Sequence, residues 1–292
     1  MNQFLQQLIN GLSVGSIYAL IALGYTMVYG IIKLINFAHG EIYMMGAYIG
    51  FICMSSFGLG IIESLVIAMI LAAILGVAIE KVAYKPLRDA TRIAALITAI
   101  GVSFLLQNIM IRIFGISVKT YPISMDSKPI ILGGLRITIP QIYIFIITIV
   151  LMVLLQFVVK KTKIGRAMRA VSTDTDAAKL MGINVNRTIS YTFAIGSALA
   201  AAAGILVGIY YNSINPMMGM TRGIKAFVAA VFGGIGNIPG AMLGGFLIGI
   251  IESLVGAYGS TMYRDAVVYA VLILVLIIRP SGLLGKNQKE KV

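Results

Sequence analysis

Charge is scarce in this sequence. Only 11% of its 292 residues are charged, against about 25% in a soluble domain. That shortage excludes a water-facing surface over most of the chain, and a mean hydropathy of +0.98 agrees. The one cysteine, Cys53, excludes an internal disulfide and any cysteine-based metal site; it reads as a small buried apolar residue. The one histidine, His39, would have to serve as the base for "GLSVG" at 11–15, a match to the G-x-S-x-G nucleophile pattern. That motif needs a strand-to-helix turn, and here it opens an apolar helix, which argues against a hydrolase. No G-x-x-x-x-G-K-[ST] occurs: "GLLGK" is followed by Asn287, and Pro280 stands where the first glycine belongs. The chain is therefore expected to hold no nucleotide, cofactor or metal of its own. No aspartate is expected inside a span, which argues against an ion-coupled carrier acting alone. A net charge of +13 could suggest nucleic acid, but the basic residues sit in clusters between apolar runs without interleaved aromatics, so no nucleic-acid partner is expected.

What the sequence has in abundance is apolar runs. Stretches of about 20 apolar residues cross a bilayer as helices, which satisfy their own backbone hydrogen bonds. They are read near 8–29, 42–57, 61–80, 93–114, 142–159, 189–211 and 263–279, with a long glycine-dense apolar region at 224–257. The expectation is an all-α polytopic transmembrane bundle of about eight spans, with a broken or re-entrant hairpin near 224–257. No short apolar stretch followed by a cleavage site is read before the first long span, so a retained N-terminus is expected.

Basic residues set the orientation, because they resist translocation. Lys81, Lys85, Arg88 and Arg92 crowd one loop. Lys160, Lys161, Lys163, Arg166, Arg169, Lys179 and Arg187 crowd a second, and Arg279, Lys286, Lys289 and Lys291 mark the C-terminus. All three clusters are placed in the cytoplasm. Segment 115–141 then faces outward, with strand-like alternation around Gly133-Gly134 predicting a hairpin, and the N-terminus lies outside. A single crossing within 224–257 would leave the basic C-terminus on the wrong side. The stretch from Ala226 to Ile235 is about 15 Å as a helix, too short to cross alone, so a hairpin broken at "GGIGNIPGAMLGG" (233–245) fits better. Such a break points to a pathway, and Asn237 and Pro239 become candidates for it.

Glycines four apart at 236, 240 and 244, 245 and 249, 11 and 15, 46 and 50, and 204 and 208 predict close helix contacts. "GIIESLV" occurs twice, at 60–66 and 249–255, a weak hint of internal repetition. Glu63 and Glu252 are placed near outer span ends, in water. "NFAHGE" (36–41) concentrates polarity between the first two spans. Asn36, His39 and Glu41 are candidates for a gate or substrate path, against the plainer alternative of an interfacial turn reaching water. Gln107 and Asn108, in the fourth span, either line a polar path or bond across helices.

The polar stretch "STDTDAAKLMGI" (172–183) predicts a short helix of about two turns. Asp174 is a good N-cap, Asp176 adds negative charge to the first turn, Lys179 lies near the last, and Gly182 can end it. Ala177, Leu180 and Met181 share one face. A helix this short is marginal alone and needs a surface to pack on: either lipid headgroups or a partner protein's groove.

These residues carry a resemblance. "GRAMRAVSTDTDAAKLMGINVNRTISYTFAIGSALAAAAGIL" resembles the signature region of ABC-importer permeases, with "DAAKLMG" in the place of their EAA-x-x-x-G motif and Asp176 where the glutamate stands. "GSIYALIALGYTMVYGIIKLINFAHGEIYMMGAY" and "AFVAAVFGGIGNIPGAMLGGFLIGIIESL…RPSGLLG" resemble LivH-type permeases of the branched-chain amino-acid importers. The resemblance implies one permease domain over 1–292 in a bacterial inner membrane, with a cytoplasmic coupling loop at 160–188 and an external loop at 115–141. It implies a second homologous permease, two cytoplasmic ATPases that use ATP and Mg, and an external substrate-binding protein. Asp174, Asp176, Ala177, Ala178, Leu180, Met181 and Gly182 would then contact an ATPase. The implied solutes are leucine, isoleucine and valine; a urea or short-chain amide permease of the same family is the alternative.

Overall fold

The computed structural model describes residues 2–88, 90–122 and 129–285. Lys286, Lys289 and Lys291 of the C-terminal basic cluster lie outside them. Among the described residues the chain is helical with four very short strands. Helix α1 (Asn2–Ile32) carries no charged residue in its 31 positions and is buried almost continuously from Gly11 to Val28, which makes it the central helix. Next come α2 (His39–Phe57) and α3 (Ile61–Ile79). A π turn (Glu80–Tyr84) and a 3-10 turn (Lys85–Leu87) extend α3, and Pro86 cannot continue the ladder. Thr91 caps α4 (Arg92–Phe114) by accepting from Ala94 N. Three short strands follow: β1 (Lys119–Thr120), β2 (Ile130–Leu132) and β3 (Leu135–Ile137). Then come α5 (Ile139–Lys161), α6 (Lys163–Thr173), α7 (Thr175–Leu180), α8 (Val185–Tyr211) and strand β4 (Ser213–Ile214). The chain closes with α9 (Met218–Gly233), α10 (Ile238–Tyr258) and α11 (Arg264–Ile278).

Among the described residues seven helical segments are long and apolar enough to cross a membrane: α1, α3 with its extension, α4, α5, α8, α10 and Thr261–Ile278. With α2 and α9 they make an all-α polytopic bundle. The hairpin expected around Gly133-Gly134 is present as β2 and β3, with both glycines at positive φ (58° and 84°). The pairing of β1 with β4, Lys119 opposite Ile214, was not anticipated; it ties the segment after α4 to the end of α8.

The three basic loops share one end of the bundle. Lys33, Lys85, Arg88 and Lys179 line a single cleft of about 920 Å³, and Arg169 lines a neighbouring pocket with Gly30 and Gly236. The C-terminal segment reaches this end too, where Leu283 N and Leu284 N donate to the carbonyls of Phe232 and Gly233. At the opposite end Gln6 donates to the Arg136 carbonyl and Gln141 to Asn10.

The broken hairpin expected near 224–257 is present, with sharper bounds, and the expected repeat is not. The break in the glycine-dense region is only the four residues between α9 and α10, with Gly234 and Gly236 at φ 109° and 91°. Helix α9 begins at Met218, upstream of the apolar run, so α9 and α10 form a helical hairpin. Asn237 Nδ2 donates to the Leu284 carbonyl (2.6 Å) and Pro239 is exposed in the first turn of α10, where a proline's missing N–H is harmless. The repeated "GIIESLV" marks no equivalence either: Glu63 is exposed on α3, whereas Glu252 is buried on α10.

The glycine spacing does mark close contacts. A Cβ on Gly15 would lie 2.8 Å from Phe246 Cα, and one on Gly11 2.7 Å from Ile250 Cα, so α1 and α10 meet backbone to backbone. Gly46 and Gly204 do the same for α2 and α8, against Ala201 and Tyr43. Gly15→Val should therefore destabilise the detergent-purified protein by roughly 1–3 kcal/mol or more, since backbone cannot yield as a side chain can. Gly101→Ala, at an open position on α4, is the control and should be neutral or slightly stabilising. Equal melting temperatures for the two variants would contradict this account of the seam.

Candidate functional site

Helix α7 is a single six-residue helix on the basic end. Asp174 Oδ1 accepts from Asp176 N and Ala177 N, both at 2.9 Å. Lys179 Nζ reaches Asp176 at 3.0 Å, a solvated pair that adds little. Gly182 sits at φ 79° and closes the helix, its N–H donating to the Lys179 carbonyl. Ala178 is the side chain turned inward and buried. Ala177 is exposed, and so are Leu180 (89%) and Met181 (82%). The expected apolar face exists, and nothing among the described residues covers it.

The α1–α2 connection departs from the interfacial turn weighed above. Lys33, in the left-handed region at φ 55°, reverses the chain at the end of α1, its N–H donating to the Tyr29 carbonyl. Residues 33–38 then turn back into the bundle, and burial deepens from exposed Lys33 to buried Ala38. His39 packs against Gly24 of α1 and stacks edge-on with Tyr25 at 4.7 Å. Gly24 is eight residues, about 12 Å, from the end of α1. Asn36, His39 and Glu41 are all buried, so these groups do not reach water at an interface. Glu41 Oε1 accepts from Ser103 of α4 at 3.3 Å. Asn36 Oδ1 accepts from Tyr84 in the π turn at 2.7 Å. At the start of the same π turn Glu80 accepts from Arg88 and from Ser190 (2.7 Å), and Arg88 also donates to Asn186. Asn186 and Ser190 stand at the start of α8, a few residues after α7. On α4, Gln107 is buried, whereas Asn108 is exposed and donates back to the Phe104 carbonyl.

A second buried polar group escaped the sequence. Lys225 on α9 pairs with Glu252 on α10 (2.9 Å) and with Asp265 at the head of α11 (2.6 Å). Tyr18 of α1 donates to the other Glu252 oxygen at 2.8 Å. Glu252 is therefore buried and paired rather than solvated, and Asp265 is an aspartate held in the first turn of a span. Charges in such positions survive because they are paired. One signal was available: a lone lysine at the edge of the apolar run "AFVAAVFGG".

Comparisons with known proteins cover nearly the whole chain. Residues 7–276 match the family model described as "Branched-chain amino acid transport system / permease component". The chain is 47% identical over 302 aligned residues to a Salmonella typhimurium protein described as a high-affinity branched-chain amino acid transport system permease protein, LivH, covering 99% of this chain and 98% of that one. It is 46% identical over 301 aligned residues to the corresponding permease protein BraD of Pseudomonas aeruginosa, with the same coverage. A chain in the solved structure "PsaBC from Streptococcus pneumoniae in complex with Fab" has a TM-score of 0.50 at 15% identity, covering 95% of this chain and 92% of that one, a likeness of fold alone. With its multi-pass bundle and a family match over nearly its whole length, the chain belongs to the family of permease components of branched-chain amino acid transport systems.

Proposed function

We propose that this permease works in an ATP-driven importer in a bacterial cytoplasmic membrane and forms part of the path for leucine, isoleucine and valine. An external binding protein delivers the solute, a second homologous permease completes the path, and two cytoplasmic ATPases consume ATP and Mg. This chain supplies contact and passage rather than hydrolysis. The observation that carries the reading is α7. Leu180 and Met181 project from a well-capped helix on the basic end, which suits a knob for a partner's groove and suits headgroups poorly, since Asp174 and Asp176 lie beside them. The basic end is then cytoplasmic, with 160–188 as the coupling loop and 115–141 outside. Two sets of bonds, Asn186–Arg88–Glu80 and Tyr84–Asn36, sit on the same π turn (Glu80–Tyr84), and that shared turn supports a physical link from the loop to the buried segment before α2.

Two measurements test this. In a Cys53→Ser background, Lys85→Cys and Arg166→Cys should label only from the cytoplasmic side; labelling of Arg166→Cys from outside would overturn the topology and the docking together. A strain carrying the complete set of subunits should take up radiolabelled leucine. Uptake of urea in place of leucine would reassign the solute within the same family.

A further inference from the structure

Glu41 is only 1% exposed, and its Oε2 has no hydrogen-bond partner among the described residues. The carboxylate lies where α2 meets the start of α9. Gly40 packs there against Gly219 and Gly223, and a Cβ on Gly219 would run into the Glu41 carboxylate. Beside it is a small pocket of about 70 Å³ between α4 and α9, lined by Ser103 together with Tyr25, Ile100, Phe104, Met220 and Ile224. Phe104 and Met220 are half exposed, so the pocket opens onto the surface of this subunit. The carboxylate itself does not line this pocket; it lies behind Ser103 and Gly219, which do, and a carboxylate at membrane depth is costly unless it is matched or faces a wet cavity. The surroundings also narrow the ligand. Among the described residues no three His, Cys, Asp or Glu side chains cluster as for a metal, and one carboxylate with one hydroxyl falls well short of the six or so oxygens that Ca²⁺ or Mg²⁺ require. A primary ammonium group, a compact cation with three donors, suits the carboxylate, and the apolar walls suit an aliphatic side chain.

We propose that Glu41 receives the ammonium group of the travelling amino acid, and that the path runs along the α4–α9 groove. This rests on the amino-acid reading above. The ammonium donates to Oε2 as the solute passes, in a charge-assisted bond of the kind that is strong when desolvated, while Ser103 holds Oε1 in place. The carboxylate acts as a waypoint, with selection left to the external binding protein.

The test uses the complete transporter. Glu41→Gln keeps shape and loses charge; it should assemble with its partners, yet leucine uptake should fall about tenfold or more, the scale of truncating one side of a buried charged contact. Glu41→Asp should recover part of the loss, which a merely shape-filling role would not produce. In a Cys53→Ser chain, Met220→Cys should react with a membrane-impermeant thiol reagent, and turnover with leucine, binding protein and ATP should slow that reaction. Wild-type leucine uptake with unimpaired Glu41→Gln would overturn this proposal alone, whereas absence of leucine uptake in the wild type would overturn the amino-acid reading beneath it. If Glu41→Gln fails to assemble, labelling decides. Reaction of Met220→Cys solely with lipid-soluble N-ethylmaleimide, or without any protection by leucine, overturns the path; impermeant labelling with protection upholds it.

Discussion

Leu180→Asp is expected to insert and fold like the parent chain, yet to lose both ATPase association and transport. The first half follows from exposure. Leu180 is 89% exposed, so the bundle takes almost no stability from it, and a polar side chain there costs the fold nothing. The second half follows from what such a residue can be for. Burying a leucine side chain at an interface contributes roughly 1.5–3 kcal/mol, and an unpaired carboxylate in the same contact adds a penalty of its own. Since each 1.4 kcal/mol is about tenfold, association should weaken on the order of a hundredfold. Gly182→Val is the companion test. No atom of the described residues lies within 4 Å of an added Cβ there, so the expected effect comes from the left-handed backbone at φ 79°, a strain of roughly 1–2 kcal/mol for a residue with a Cβ. It should misplace the helix without unfolding the bundle. The measurements are co-purification of the ATPase subunits with tagged permease and leucine uptake in cells. Wild-type behaviour in both variants would mean that α7 rests on lipid.

Much of this site was legible because its determinants are local. An N-cap aspartate, a positive-φ glycine and apolar residues three and four apart declare a short helix within a dozen residues, and Asp174, Gly182 and Leu180 all stand as that pattern requires. The helix seams were legible for a similar reason, since small residues four apart state a contact even when they do not name the partner helix. What failed was everything set by the partner. Glu252 looks the same in sequence as Glu63, and only the fold brings Lys225 and Tyr18 to one and leaves the other exposed. The return of residues 33–38 into the bundle was hidden as well. Its cause is a single left-handed lysine, and no pattern of hydrophobicity marks a non-glycine residue for that conformation. Polar groups near a span end read as interfacial by default, and the depth of His39 and Glu41 emerges only once Gly24 and Gly219 are seen to make room for them.

Lys225→Met should be the most destabilising single change among those considered. Lys225 joins three helices at once, with Nζ 2.9 Å from Glu252 and 2.6 Å from Asp265, and Tyr18 of α1 completes the group through Glu252. Methionine fills much the same volume, so the loss is electrostatic: Glu252 keeps one hydrogen bond and loses its counter-charge. Removing one member of a buried pair costs about 3–5 kcal/mol, because the stranded charge pays desolvation without attraction. Asp265→Asn should cost far less, about 1 kcal/mol or below, since Asp265 is 53% exposed and its charge is screened by solvent. The double variant Lys225→Met/Glu252→Gln should recover part of the single loss, as neither residue then carries an unmatched charge. Thermal unfolding of the detergent-purified protein orders the three variants. A Lys225→Met protein as stable as the parent would mean that the charges are solvated within the bundle, and the contact joining α1, α9, α10 and α11 would then contribute nothing to holding them together.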